Sequence, residues 1–213
     1  MYADPVTGAQ SRAERKEQTR TQLLECTLDL SADRGLAGVS LREIARAAGI
    51  VPTAFYRHFD SMDALGLTLV DDGMRALRSM LRDARRSPNP TNGRESLAVL
   101  SKHVRANREL FRFLYRERFG GSAAVRYAIE TELRLIIGEL TVDLSRVPDF
   151  ATWDTDDLDM AADLLVSSML EAMSPFIGAK STGLDDQAVL IRTEKQMRVL
   201  LLGLGQWKPR SQR

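Results

Sequence analysis

Thr53, Tyr56, Arg57 and His58 crowd into the segment SLREIARAAGIVPTAFYRHF, Ser40 to Phe59, and their groups suit a nucleic-acid groove. An arginine fork can donate to two acceptors on guanine, and a threonine or alanine methyl can meet the methyl of thymine. Tyrosine and histidine can hold phosphates, which position a protein without reading sequence. On a helical wheel, Phe55 and Phe59 lie four apart and share one inward face. Thr53 and Arg57 fall nearly opposite with Ala54 close by, and Tyr56 and His58 take the two flanks. The plain alternative is a small helical hairpin whose polar residues only solvate a surface.

Such a face needs a rigid mount, and the preceding residues supply one. Ser40 followed by Glu43 is a capping-box pattern that starts a helix. Ile44, Ala45 and Ala48 then form one apolar stripe. Gly49 can take a positive φ and turn the chain, while Val51 before Pro52 favours extended backbone and Pro52 suits a helix start. The pattern is a helix-turn-helix whose second helix would be the recognition element. A first helix from about Ser11 to Arg34, ending at Gly35, would bring Leu23, Leu24, Leu28 and Leu30 behind it and complete a three-helix head. Its cations Arg12, Arg15, Lys16 and Arg20 form a patch that Glu14 and Glu17 interrupt, so an ordinary solvated helix is the other reading.

The chain of 213 residues is 44% hydrophobic and 28% charged, as in soluble globular proteins. Its net charge is only +1, so any electrostatic attraction to phosphate must be local. The single cysteine, Cys26, excludes an intrachain disulfide and a cysteine-based zinc cluster, and reads as a small hydrophobe in an apolar helix. No early segment has the core of a signal peptide and nothing approaches membrane-spanning length, so a cytoplasmic protein is expected.

Only helices are predicted beyond the head. Asp60 or Ser61 caps a long helix through Met62, Leu65, Leu69, Met74, Leu77 and Leu81, and SPNPTNG at Ser87 to Gly93 breaks the chain. Further helices are expected at about Arg94 to Ala106, Glu109 to Phe119, Ser122 to Arg146, Asp154 to Met173 (stopping near Pro175 and Gly178) and Asp185 to Leu204. The last two are apolar on more than one side and need more than one packing partner. Two from each of two subunits would make a four-helix interface, and a monomeric core using some of this surface is the other reading.

Catalysis finds little footing. His58 and His103 lie on separate helices without metal-ligand spacing. No nucleophile elbow, Walker loop or dinucleotide fingerprint occurs. Gly120-Gly121-Ser122 reads as a helix break and cap, and acidic pairs such as Asp156-Asp157 sit at helix starts. No enzyme, metal or cofactor is expected.

Arg12 to Leu69 resembles the TetR family of bacterial transcriptional repressors, through Ala48-Gly49-Ile50, Phe55-Tyr56 and His58-Phe59. LGLTLVDD and the later FRFLYRERFGGSAA, Phe111 to Ala124, are similar to its lipid branch, which represses unsaturated fatty-acid synthesis or desaturation. The resemblance implies an all-α fold: a helix-turn-helix head over residues 11–60 and a larger helical ligand-binding and dimerisation domain over 61–205. A disordered lead-in (1–10) and a flexible tail (206–213) would flank them. It implies a homodimer on a palindromic DNA operator, with Tyr56 and His58 on phosphates and Thr53, Ala54 and Arg57 in the groove. Thr19, Ser40 and Arg42 match further DNA-contacting positions, whereas Val51, Ala54 and Met62 depart from the family's usual residues. The implied effector is a long-chain acyl thioester on coenzyme A or acyl carrier protein. Phe111, Leu114, Met169 and Met173 would line its tunnel, and Arg116 and Arg118 would meet the carrier's phosphates. The alternatives are a different apolar ligand controlling an efflux or other operon, a helical lipid-binding protein that no longer engages DNA, and salt bridges from Arg116 or Arg118 to Glu117, Glu130 or Glu132.

Overall fold

The structure is a computed structural model that describes residues 11–85, 101–177 and 186–208. Helices α1 (Arg12–Ser31), α2 (Leu41–Ala47) and α3 (Pro52–Phe55) form the head. Helices α4 (Met62–Arg85), α5 (Arg108–Gly120), α6 (Ala123–Leu144), α7 (Thr155–Ile177) and α8 (Asp186–Gly205) form the body, with residues 101–106 also helical. Two short 3-10 turns, Leu36–Gly38 and Pro148–Phe150, complete the described structure, which contains no strand among the described residues.

Local chemistry sets the helix ends. The Ser11 hydroxyl accepts from the Glu14 amide at 3.1 Å while the Glu14 carboxylate accepts from the Ser11 amide at 2.8 Å, a capping box at the start of α1. Ser40 and Glu43 form a second box at α2. There the Ser40 amide, its hydroxyl and then Arg34 hold the Glu43 carboxyl down at about 2. The Ser61 hydroxyl caps α4 through the Ala64 amide, and Ser122 caps α6 through Val125. Gly49 takes φ +70°, which an L side chain rarely adopts, and so turns α2 toward α3.

The head and body share one core. A contiguous apolar cluster runs from Leu23, Ile44 and Phe55 through Leu65, Leu69 and Met74 of α4 to Ile129 and Ile136 of α6. Leu36, just after α1, seats against Gly66: a Cβ there would lie 2.7 Å from Leu36 Cδ2 and 2.9 Å from Val125 Cγ2. Cys26 is half-buried, and burial, then Asp29 and Glu25, push its thiol up, so it is a packing residue and not a poised thiolate.

Several expectations need correction. Helix α1 ends at Ser31, and the chain passes through a turn before Gly35 instead of staying helical to Arg34. Helix α7 runs on to Ile177 with Pro175 inside it; burial of Phe176 and Ile177 holds the turn that the proline's missing amide weakens. Helix α7, 23 residues long with an 18-residue window of mean hydropathy 1.3, is also long and apolar enough to cross a membrane by length and composition, contrary to the sequence reading. In the fold its Leu158, Ala162 and Val166 are buried against neighbouring helices. Past α8, Trp207 Nε1 donates to Asp157 Oδ1 at 2.9 Å, so the first tail residues are anchored to α7. The lead-in at 1–10, the SPNPTNG break, the first part of the helix expected from Arg94, the stop near Gly178 and the end of the tail lie outside the described residues.

Gly66→Val would force side-chain atoms into Leu36 and Val125. The expected loss is about 1–3 kcal/mol of stability, read as a lower denaturation midpoint at unchanged m-value.

Candidate nucleic-acid interface and ligand cavity

Phe55 is fully buried and Phe59 is 5% exposed, their ring centroids 5.8 Å apart. That anchorage leaves Thr53, Tyr56 and Arg57 exposed, and Ala54 and His58 half-buried. The regular helix is shorter than a two-turn element. After Phe55 the chain tightens, with Arg57 N bonded to Ala54 O at 3.1 Å and His58 N to Phe55 O at 2.9 Å. Such i→i+3 bonds still return Phe59 to the core.

Cations from α1 come alongside this face. The Arg20 guanidinium lies 4.6 Å from the Phe59 ring centroid, and Lys16, Arg20 and Arg57 all act on His58. Burial first, then those three cations, hold His58 below its ordinary 6.5, with Glu17 opposing. His58 Nδ1 is inaccessible and has no hydrogen-bond partner, so Nε2 is the ring nitrogen that an external phosphate could reach. The positive patch therefore combines α1 with α3. Thr19 is half-buried, and its hydroxyl donates to Arg15 O at 2.9 Å. The Ser40 hydroxyl is engaged in its cap, while Arg42 beside it is exposed.

In the body, Phe111, Leu114, Arg118 and Met173 line an apolar cavity together with Met74 and Ile129. Its free volume is about 20 Å³, about the room one water needs, so the expected acyl tunnel is closed by packed side chains. Met169 packs against the surrounding core and does not line the cavity. Arg118 lies over the Phe119 ring at 5.2 Å. Arg116 turns away: its guanidinium donates to Ala32 O at 3.1 Å and to Asp33 O, holding the end of α1. Glu132, offered as a salt-bridge partner for these arginines, instead pairs with Arg78 at 2.7 Å.

Residues 23–67 match the family described as "Bacterial regulatory proteins, tetR family", and residues 94–201 match "Tetracyclin repressor-like, C-terminal domain". The chain belongs to the tetR family. It is thus a DNA-binding transcriptional regulator with a helical C-terminal domain. Solved structures share the fold. A TetR-like transcriptional regulator from Rhodococcus sp. RHA1 is 20% identical with a TM-score of 0.66, covering 93% of this chain and 100% of that one. The fatty acid degradation regulator FadR from Bacillus halodurans is 17% identical with a TM-score of 0.64, covering 90% and 97%. FadR from Bacillus subtilis, solved in complex with stearoyl-CoA, is 14% identical with a TM-score of 0.63, covering 86% and 98%.

In this tetR-family regulator, α5 joins the body to the head. Arg112 pairs with Asp33 at 2.8 Å, Arg116 holds the carbonyls above, and Glu117 Oε1 accepts from the Leu36 amide at 2.9 Å. Glu117 is 1% exposed, and its second oxygen has no partner. In the sequence Glu117 stands out only as a salt-bridge candidate. Its spacing held a signal, because Leu110, Phe113, Leu114 and Glu117 recur on one helical face. A carboxylate on an apolar face needs a buried donor.

Glu117→Ala would leave the Leu36 amide without a partner. Hydrogen exchange at that amide should quicken by roughly tenfold or more, since a lost bond to a charged group is worth about 1.5–3 kcal/mol. Exchange unchanged from the parent protein would show that the tie does not hold the head.

Proposed function

We propose that the chain is a homodimeric repressor that reads a palindromic operator with α3 and answers to a long-chain acyl thioester, governing unsaturated fatty-acid synthesis or desaturation. The observation that carries the DNA assignment is the opposition across α3 and the turn after it: Phe55 and Phe59 buried, Thr53 and Arg57 exposed. Thr53, Ala54 and Arg57 meet base edges, and Tyr56 and His58 take phosphates. Arg42, Thr19 and Ser40 flank them on the same head, with Ser40 limited to what its cap leaves free. The near-neutral chain needs no general basic field, because Lys16, Arg20 and Arg57 gather at one place.

Dimerisation is supported by apolar residues that α7 and α8 leave exposed. Leu164 is 40% exposed, Val199 72%, Leu201 52% and Leu202 62%. Burying such a surface needs a second partner, and a second copy also supplies the second reading helix. The acyl assignment rests on the apolar cavity with Arg118 at its wall, on the block Phe111 to Ala124, and on a like-folded regulator that binds stearoyl-CoA. A drug-sized or longer ligand occupies about 300 Å³ or more, so α5 and α7 must part to admit it. Met74 and Met173 suit that repacking, since an unbranched thioether side chain adopts many shapes. A ligand shifts operator affinity only by favouring one arrangement of the two heads. The reading places the protein in the cytoplasm.

The direct experiment is a salt-titrated mobility-shift assay on the cognate promoter with and without long-chain acyl thioester. Operator binding that ignores the thioester would overturn the effector assignment, and no operator binding at any salt would overturn the DNA assignment. Within that assay, Arg57→Ala should lose about 1–3 kcal/mol at particular base pairs, whereas Tyr56→Phe should weaken all sequences alike. Equal loss on every sequence from Arg57→Ala would sink its groove role.

His58 supplies a pH test. Its depressed pKa keeps it neutral in the free protein at neutral pH, and a phosphate favours its charged form, so binding takes up a proton. Operator affinity should therefore rise as pH falls toward the depressed pKa of His58 in the free protein, and His58→Gln should flatten that rise. A profile identical in the two proteins would remove His58 from the phosphate contacts.

A further inference from the structure

Between the end of α1 and α5 lies a second opening, a cleft of about 370 Å³ lined by Asp33, Arg112, Tyr115, Arg116, Phe119 and Ser174. Tyr115 and Ile177 line both this cleft and the apolar cavity, so the two spaces share a wall. One is almost wholly apolar and the other carries guanidinium groups. That juxtaposition fits an amphiphile with a hydrocarbon tail and an anionic head.

The charges in the cleft are already engaged, and the way they are engaged is informative. Arg112 lies 2.8 Å from Asp33 and 3.6 Å from Glu109, and its side chain is only 17% exposed. The Asp33 side chain is 87% exposed. Arg116 is held by Ala32 O and Asp33 O, and Glu171 accepts from the Tyr115 hydroxyl at 3.4 Å. If the Arg112–Asp33 pair opens, Asp33 returns to water at little cost, but the largely desolvated Arg112 keeps only the longer 3.6 Å contact to Glu109, and a second anion would restore its pairing. A phosphate offers more charge than a carboxylate and matches the guanidinium fork.

We propose that this cleft seats the phosphate-bearing head group of the effector, and that the head group displaces Asp33 from Arg112. The inference rests on the acyl-thioester reading. It assigns the head group to Arg112 at the junction with the DNA-binding head, and it gives the ligand a contact that the head itself must surrender. Occupancy then removes one of the ties that fix the head on α5.

The test is calorimetric titration of the full chain with stearoyl-CoA, stearate and free coenzyme A, comparing the parent protein with Arg112→Gln and Asp33→Asn. Arg112→Gln should weaken stearoyl-CoA binding by about tenfold or more, the worth of one charge-assisted bond, and leave stearate within about twofold. Asp33→Asn removes the competitor and should tighten stearoyl-CoA several-fold, the opposite sign from a role confined to holding the fold. Asp33 is exposed, so that variant tests the idea even where Arg112→Gln unfolds. Unchanged stearoyl-CoA affinity in Arg112→Gln, or weaker binding in Asp33→Asn, overturns the cleft assignment while the acyl reading stands. A parent protein that binds neither stearoyl-CoA nor stearate overturns the acyl reading, and this inference falls with it.

Discussion

Burial of Phe55 and Phe59 fixes which side of α3 faces outward, and the DNA-reading assignment depends on that one orientation. Both rings pack into a core supplied by α1, α2 and the start of α4, with Leu23, Ile44 and Leu65 fully buried around them. A short helix has almost no stability of its own, because nucleation costs more than one turn of hydrogen bonds returns. Its orientation therefore comes from the two aromatic anchors and from the Gly49 turn that delivers it. Thr53 and Arg57 are exposed as a geometric consequence.

The head was legible in the sequence because its signals are local. Ser40, Glu43, Gly49 and Pro52 each state a backbone preference that their neighbours confirm, and the structure shows the cap, the positive φ and the proline start where those residues imply them. Serines that cap α4 and α6 were legible for the same reason. What stayed hidden depended on partners distant in the chain. Arg116 carries the same charge whether it faces a ligand or the carbonyls of Ala32 and Asp33, and only the placement of α1 decides between them. Met169 and Met173 share one helix and one residue type, yet only Met173 reaches the cavity. Pro175 was expected to stop α7, but burial of the two residues beyond it outweighs the lost amide.

Helix α5 does two things at once because its faces differ. Phe111, Tyr115 and Arg118 line the cavity of the body, while Arg112, Arg116 and Glu117 engage the turn that follows α1. A rigid helix cannot move one face without moving the other. Any repacking of the cavity that displaces α5 must disturb the polar ties to Asp33 and Leu36, whatever the ligand's chemistry. The packed interior favours discrete alternatives over gradual deformation, which suits a switch.

Leu36 belongs by sequence to the N-terminal module, yet it lodges beside Gly66 of α4 and Val125 of α6. An excised fragment ending near Asp60 would bare that side chain and the hydrophobic floor beneath it. The reading unit is consequently not a detachable cassette: grafting it onto another protein would also require transplanting the socket that receives Leu36.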